Sequence, residues 1–388
     1  MIFVSISQTE FEKQETNFPN SNYYQTVKWG KLKKLTGWTS HYVGIKDHDQ
    51  YLALALILSK KVIGQKQIFY APRGFLMNYQ DFTLLAYFTK EIKKYVKEHQ
   101  GFMFKIDPCL IYKTRDKDGN ELTTTNAELI QELKKLGYYH QGFTRGYTKE
   151  AQYRWSYYLD TTVSLDTLLK NMDKRCRRCL RKSENYPLVI KEVTTTNIND
   201  FENIMDHTSF RQKHFNRSLV YYHRLKELFG NRLLMLVIYL DKDKYLSKFP
   251  AEKTALQVQK EPTNLIPISA GVFIKDQNML HYVYGGTYLH YMSLMAQYKM
   301  QFAMIKYAKD QNLTIYDFGG ISGDFNQGSP NYGVYEFKRG FGGYIVEYIG
   351  EFDLIIDKKI YYLYSFMFSF YRRLKKILAS LLSKKKIY

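Results

Sequence analysis

Hydrophobic and polar positions along the 388-residue chain fall into two stretches built on one plan. The first has an apolar run IFYAPRGF (68–75), a segment with helical periodicity, YQDFTLLAYFTKEIKKYVKEH (79–99), and a second apolar run, FMFKIDP (102–108). The second has LHYVYGGT (280–287), the periodic segment MSLMAQYKMQFAMIKYAKD (292–310), and LTIYDFGG (313–320). Short apolar runs bounded by turn residues predict strands, and apolar positions recurring at three and four residues predict helices. Each stretch therefore reads strand, loop, helix, strand, with an Asp closing the second strand. Tyr70 precedes Asp107 by 37 residues and Tyr284 precedes Asp317 by 33. That spacing suits a crossover unit whose two strands pair in parallel with right-handed connection, so the pattern predicts two related α/β domains.

Between the repeats, WSYYLD (155–160) predicts a strand and Leu165, Leu168, Leu169 and Met172 step at helical spacing until Pro187 forbids continuation. The second domain is expected to begin near residue 151. Leu233–Tyr239 and Ile268–Ile274 read as strands, and the segment joining them (241–267) cannot be one long helix because it holds Pro250, Pro262 and Pro267. From Ile360 onward, Met367, Phe370, Tyr371, Leu374, Leu378 and Leu381 form one stripe, with Arg372, Arg373, Lys375 and Lys376 largely off it. This predicts a basic amphipathic helix, able to dock on the protein's own core or on an anionic lipid surface.

Charge narrows the partners. With 57 Lys and Arg against 37 Asp and Glu the formal charge is +20, which favours a polyanion. Lys174, Arg175, Arg177, Arg178, Arg181 and Lys182 crowd into nine residues of a predicted helix, either a phosphate-binding face or a merely solvated one. Three cysteines, Cys109, Cys176 and Cys179, are too few for a disulfide framework and suit a reducing compartment. The opening MIFVSISQTEFEKQE lacks a signal-peptide pattern and no run of 18 apolar residues occurs, so a cytoplasmic protein is expected.

Familiar chemistries fall away. Cys176 and Cys179 have CxxC spacing without a second ligand pair, and the nine histidines show no metal-spaced cluster, so no metal site is expected. A phosphate-cradling GxxxxGK[ST], a GxGxxG after a strand and a GxSxG elbow are all missing. What remains is Asp317-Phe-Gly-Gly320 followed by Phe337-Lys338-Arg339 and the glycines at 340, 342 and 343. Glycines admit close approach of a substrate backbone, and a lysine fixed beside them can stabilise an acyl-transfer oxyanion. The plainer reading is a surface lysine after a glycine-rich hairpin.

In order along the chain, YDFGGI (316–321), YEFKRGFGG (335–343) and EYIGEFDL (347–354) resemble the C-terminal signature of the FemABX family, aminoacyl-tRNA-dependent transferases that build peptidoglycan cross-bridges. WGKLK (29–33), YAPRG (70–74), FKIDP (104–108), RKSE (181–184) and HYVYGGT (281–287) extend the resemblance over nearly the whole chain. It implies an α/β fold of two GNAT-like acyltransferase domains in tandem, the C-terminal segment returning to the first. The expected domains are 1–150 plus 351–388, and 151–350 with a short insertion at 241–267.

The resemblance also implies a reaction. The stem-peptide amine of a peptidoglycan precursor, lipid II or UDP-MurNAc-pentapeptide, attacks the ester of an aminoacyl-tRNA and receives Ala, Ser or Gly, with no further cofactor. Carried over by motif, Lys31, Arg217 and Tyr221 hold the precursor's phosphates and sugar. Phe337 and Lys338 form the catalytic pair, the lysine stabilising the tetrahedral intermediate; Tyr284 lines that site, and Asp107 orients or deprotonates the amine. Lys174, Arg175, Arg178, Arg181 and Lys182 become contacts to tRNA phosphates, and the C-terminal helix a peripheral contact with the inner membrane surface.

Many relatives carry a two-helix coiled-coil arm where this chain has the proline-broken insertion, so no tRNA role passes to that segment. Two rivals stay open. One is an acyl-CoA N-acyltransferase, because Arg339-Gly-Phe-Gly342-Gly-Tyr344 nearly spells a pyrophosphate loop, although Tyr344 departs from it and strand-like YIVEYIGEF follows where a helix is needed. The other is a non-catalytic basic relative that binds membrane or RNA.

Overall fold

In the computed structural model, which describes residues 1–147, 152–212 and 216–370, both repeats form crossover units. Strands Lys66–Ala71 and Gly101–Ile106 pair in parallel across the helix Phe82–Glu98. That helix starts where the Asp81 side chain accepts from the Leu84 amide, and it buries Leu84, Leu85, Phe88, Ile92 and Val96 as one apolar stripe. In the second unit the strands Met279–Thr287 and Ile315–Ile321 pair in parallel across the helix Ala296–Asp310. Among the described residues these are the parallel pairs; the other ladders are antiparallel.

The chain divides into two units, one made of 1–110, 126–144 and the chain from 349 onward, the other of 111–125 and 145–348. The sheet of the first runs Ile2–Ser5, Thr39–Asp47, Gln50–Ile63, Lys66–Ala71, Gly101–Ile106, Phe352–Ile355, Tyr138–His140, with Leu76–Met77 pairing beside Gln50–Ile63. Phe352–Ile355 thus inserts between two strands from the N-terminal part, the return expected of the C-terminal segment. The sheet of the second runs Leu188–Glu192, Leu233–Asp241, Leu265–Asp276, Met279–Thr287, Ile315–Ile321, Trp155–Asp160, Tyr344–Tyr348, Ile111–Arg115, Glu121–Thr124.

The expected boundaries need one correction. The hairpin Ile111–Arg115 with Glu121–Thr124 lies inside the span 1–150 but joins the second sheet, where Thr114 pairs with Val346 and Arg115 with Ile345. A two-sided ion cluster fixes it there: Glu347, buried, receives Arg115 at 3.2 Å and also the buried Arg154. Sequence pattern carries no record of such a swap, because an exposed two-strand hairpin reads the same whichever sheet it extends.

The helix expected to run unbroken to Pro187 is also divided, into Leu165–Asn171 and Lys174–Asn185. Met172 and Asp173 are extended, and the Arg177 guanidinium donates to the carbonyls of Leu169, Lys170 and Met172, closing the end of the first helix. Between Leu233–Asp241 and Leu265–Asp276 stand two short helices, Lys242–Lys248 and Ala255–Lys260, which bury Tyr245, Ala255 and Val258. Residues 358–370 are helical; the rest of the predicted basic helix, including Tyr371, Arg372, Arg373, Leu374, Lys375, Lys376, Leu378 and Leu381, lies outside the described residues. No helix among the described residues is long and apolar enough to cross a membrane.

Candidate active site

The second sheet carries a local defect, and Lys338 fills it. The parallel ladder between Met279–Thr287 and Ile315–Ile321 ends at His281 opposite Asp317. Just beyond, Gly319 takes a left-handed φ of +75°, where an added Cβ would lie 2.8 Å from the Tyr282 carbonyl oxygen, so only glycine fits. In a regular strand successive carbonyls point to opposite sides; this turn brings those of Gly319 and Gly320 onto one point. Lys338 Nζ sits there, donating to Gly319 O at 2.9 Å and Gly320 O at 2.7 Å.

Lys338 arrives on the last turn of the helix Tyr332–Arg339, whose inner stripe buries Tyr335 and Lys338 three residues apart. The plainer alternative, a surface lysine after a hairpin, does not hold: Lys338 is 6% exposed. Burial pushes its ammonium down to about 7, opposed by the carboxylate of Asp317. Two carbonyl acceptors occupy two of the three ammonium hydrogens, leaving one donor for an incoming oxygen. Phe337, half-buried, packs edge-on to Tyr298 and Phe341 with ring centroids 5.0 and 5.4 Å away.

Asp317 anchors the defect. It is 1% exposed; its Oδ1 accepts from Ser156 Oγ at 2.5 Å and the Gly319 amide at 2.7 Å, its Oδ2 from His281 Nδ1 at 3.0 Å and Tyr153 OH at 3.3 Å. Burial raises the carboxyl, yet these donors, His281 foremost, outweigh it and hold it below the usual range.

Arg217, Tyr221 and Tyr284 come together in the same unit. The Arg217 guanidinium lies over the Tyr221 ring, 5.1 Å from its centroid, and the Tyr221 and Tyr284 hydroxyls are 3.5 Å apart. Burial lowers the guanidinium but Tyr284 and Tyr221 overcome it, so the cation is secure. The placement is local in origin: Ser218 caps the helix Leu219–Phe229 and starts it directly after Arg217.

Lys31 and Asp107 belong to the first unit. Lys31 is half-buried on the last turn of the helix Val27–Lys33, next to Gly30, where a Cβ would meet Tyr42 OH at 2.5 Å. Asp107, 3% exposed, accepts from Tyr70 OH at 3.0 Å and from the Arg73 amide at 2.7 Å, closing the YAPRG turn. Burial raises its carboxyl to about 6 against the pull of Arg73.

The basic helix Lys174–Asn185 is two-faced. Cys176, Cys179, Leu180 and Ser183 are buried, while Lys174, Arg175, Arg178, Arg181 and Lys182 are exposed. Arg175 pairs with Glu336 at 2.6 Å, and Lys182 lies over the Tyr186 ring. With Arg177, four of these cations line a concavity of about 350 Å³. The Arg339–Tyr344 loop leads into the strand Tyr344–Tyr348, so no helix N-terminus receives a pyrophosphate there.

Against known families, residues 6–265 and 250–368 match the model of the FemAB family. The chain belongs to the FemAB family. Aminoacyltransferase FemB of Staphylococcus epidermidis (strain ATCC 12228 / FDA PCI 1200) is 28% identical over 97% of this chain and 100% of its own length. Aminoacyltransferase FemA of Staphylococcus aureus (strain bovine RF122 / ET3-1) is 27% identical over 94% and 98%. The crystal structure of FemX superposes with a TM-score of 0.79 at 24% identity, covering 94% of this chain and 99% of that one. The fold is thus that of FemX, with two α/β units each built on a parallel crossover.

Sequence reasoning overlooked His281, Ser156 and Tyr153, which hold the Asp317 carboxylate, and Arg177, which works as a helix cap. Asp317 itself was flagged by the repeat, as the Asp that ends a strand.

Proposed function

We propose that this FemAB-family protein transfers Ala, Ser or Gly from an aminoacyl-tRNA to the stem-peptide amine of lipid II or UDP-MurNAc-pentapeptide, forming the interpeptide bridge. The observation that carries the reading is the buried Lys338 ammonium, clamped by two carbonyls with one hydrogen left over, on the family's FK pair. When the amine attacks the ester carbonyl, the oxygen gains negative charge, and that last N–H meets it. Collapse of the intermediate breaks the bond to the ribose oxygen, which leaves with a proton, and the new amide forms. A preset donor of this kind lowers the barrier by about 3–4 kcal/mol.

Arg217, Tyr221 and Tyr284, all in the second unit, offer a cation and two hydroxyls suited to a phosphate-bearing sugar, and Lys31 of the first unit is assigned to the precursor's phosphates by its motif alone. Both roles stay with Asp107: its Oδ1 accepts from Tyr70 and the Arg73 amide, which orients the carboxylate, while the buried Oδ2, 4.0 Å from the Arg73 guanidinium, takes no hydrogen bond among the described residues and is left to accept from an amine. The exposed cations Lys174, Arg175, Arg178, Arg181 and Lys182 suit tRNA phosphates without reading sequence. No cofactor beyond the aminoacyl-tRNA enters this scheme.

Leu363, Phe366, Met367 and Phe370 are exposed at helical spacing just before the Lys- and Arg-rich end of the chain. We assign this stripe to peripheral contact with the inner face of the cytoplasmic membrane, where lipid II resides. An acyl-CoA donor is disfavoured by the strand that follows Arg339–Gly343.

Purified protein supplied with radiolabelled aminoacyl-tRNA and either precursor should move label onto the precursor, and Lys338→Met should not. Label remaining on the tRNA with both precursors and all three amino acids would contradict the reading.

A further inference from the structure

Lys338 cannot hold its own geometry. Both its acceptors are backbone carbonyls, and they converge because Gly319 is left-handed. The Asp317 Oδ1 bond to the Gly319 amide spans two residues and fixes that turn. Ser156 Oγ, on the neighbouring strand Trp155–Asp160, holds the same oxygen, and His281, on the strand Met279–Thr287, holds the other. A single buried carboxylate therefore joins three adjacent strands at the point where the parallel ladder stops. It also carries the negative charge that acts on the Lys338 ammonium.

We infer that Asp317, braced by His281, is the positioning residue of the transfer: it shapes the carbonyl clamp and supplies the counter-charge that keeps Lys338 protonated, without touching either substrate. The inference rests on the oxyanion role proposed for Lys338. Ionisable groups around the ammonium are Asp317 on its strand, His281 through Asp317, Tyr153 bonded to Asp317, and Tyr147, whose hydroxyl donates to Gly320 O at 3.2 Å. Tyr147 is nearly half exposed, and its phenol is shifted up rather than down, so across the neutral range it stays an uncharged donor. Asp317 is then the negative charge of this group of residues.

The test is Asp317→Asn, which keeps an acceptor for the Gly319 amide and removes the charge. kcat and KM for both substrates are measured from pH 5.5 to 9 beside wild type and Lys338→Met. The protonated lysine is the working form, so activity falls as pH rises through its titration. Removing the carboxylate moves that alkaline limb toward acid by about one pH unit, since a close opposite charge shifts a pKa by roughly one to three units. The expected result is a loss of about tenfold at pH 8, little loss at pH 6, and both KM values within about twofold of wild type.

A uniform loss with an unmoved limb, or no loss at all, would overturn the inference while Lys338→Met stays inactive. An active Lys338→Met would instead sink the underlying assignment. Should Asp317→Asn fail to fold, His281→Leu removes one brace while the carboxylate keeps its charge, so it must lower kcat with the alkaline limb and both KM values unmoved; an unchanged kcat in that variant would equally overturn the inference.

Discussion

Lys338→Met should do more than abolish transfer; it should change how stability depends on pH. Burial takes the ammonium from an ordinary 10.5 to about 7. Between those values the unfolded chain binds a proton that the native protein does not, so native stability rises with pH across that window. At 1.36 kcal/mol per pH unit, the whole window is worth roughly 5 kcal/mol. From pH 7 to 9 the lysine alone adds about 2 kcal/mol, because titration is only half complete at the lower end. Methionine has no proton to lose, so the variant lacks this rise. It also takes the ammonium from the Gly319 carbonyl, a cost of about 1–3 kcal/mol, while Gly320 O keeps the Tyr147 hydroxyl, and the loss is offset by relief from burying a cation below pH 7. The variant should therefore remain folded at pH 7. Urea unfolding of both proteins at pH 7, 8 and 9 gives the difference directly, with all other titrating groups common to the pair. Parallel stability curves would refute the claim that Lys338 is buried and depressed, whatever the variant's activity.

Further outcomes follow from other parts of the structure. Gly319→Ala places a methyl 2.8 Å from the Tyr282 carbonyl oxygen at a φ of +75° and should cost about 1–3 kcal/mol in unfolding together with most of kcat. Arg217→Ala should raise KM for the precursor about tenfold or more with little effect on KM for tRNA, read by steady-state kinetics. Arg178→Ala with Arg181→Ala should weaken tRNA binding and flatten the log–log salt dependence by about 0.7–0.9 per lost contact, measured by filter binding. Phe366→Glu with Phe370→Glu should reduce co-sedimentation with anionic vesicles and leave transfer to the soluble UDP-linked precursor unchanged.

Both crossover units were legible in the sequence because their signals are long: a periodic helix between two apolar runs, each buried face written into the pattern. The parting of the Leu165–Asn171 and Lys174–Asn185 helices was not, since it depends on Arg177 reaching back to three carbonyls. The hairpin 111–125 was misassigned for a related reason, its place being set by ladder bonds to a strand more than two hundred residues away. At the site, glycine density pointed to an unusual backbone, and Lys338 stood out as the cation beside it. Its burial and its clamp did not, because an eight-residue helix with two cations at its end reads as an exposed surface. Arg217 and Tyr221 stand four residues apart in one motif and hence were easy to group; Tyr284 joins them only through the sheet.

The proposed acyl donor is a tRNA and the proposed acceptor a peptidoglycan stem peptide. Purified protein is incubated with lipid II or UDP-MurNAc-pentapeptide, total tRNA, synthetases and amino acids, and the precursor is weighed by mass spectrometry with and without RNase, acetyl-CoA replacing the tRNA mixture in a parallel reaction. The expected product is heavier by one Ala, Ser or Gly residue, a gain that RNase abolishes and acetyl-CoA does not replace. A precursor of unchanged mass in the tRNA reaction, or one that gains an acetyl group instead, would contradict the proposal.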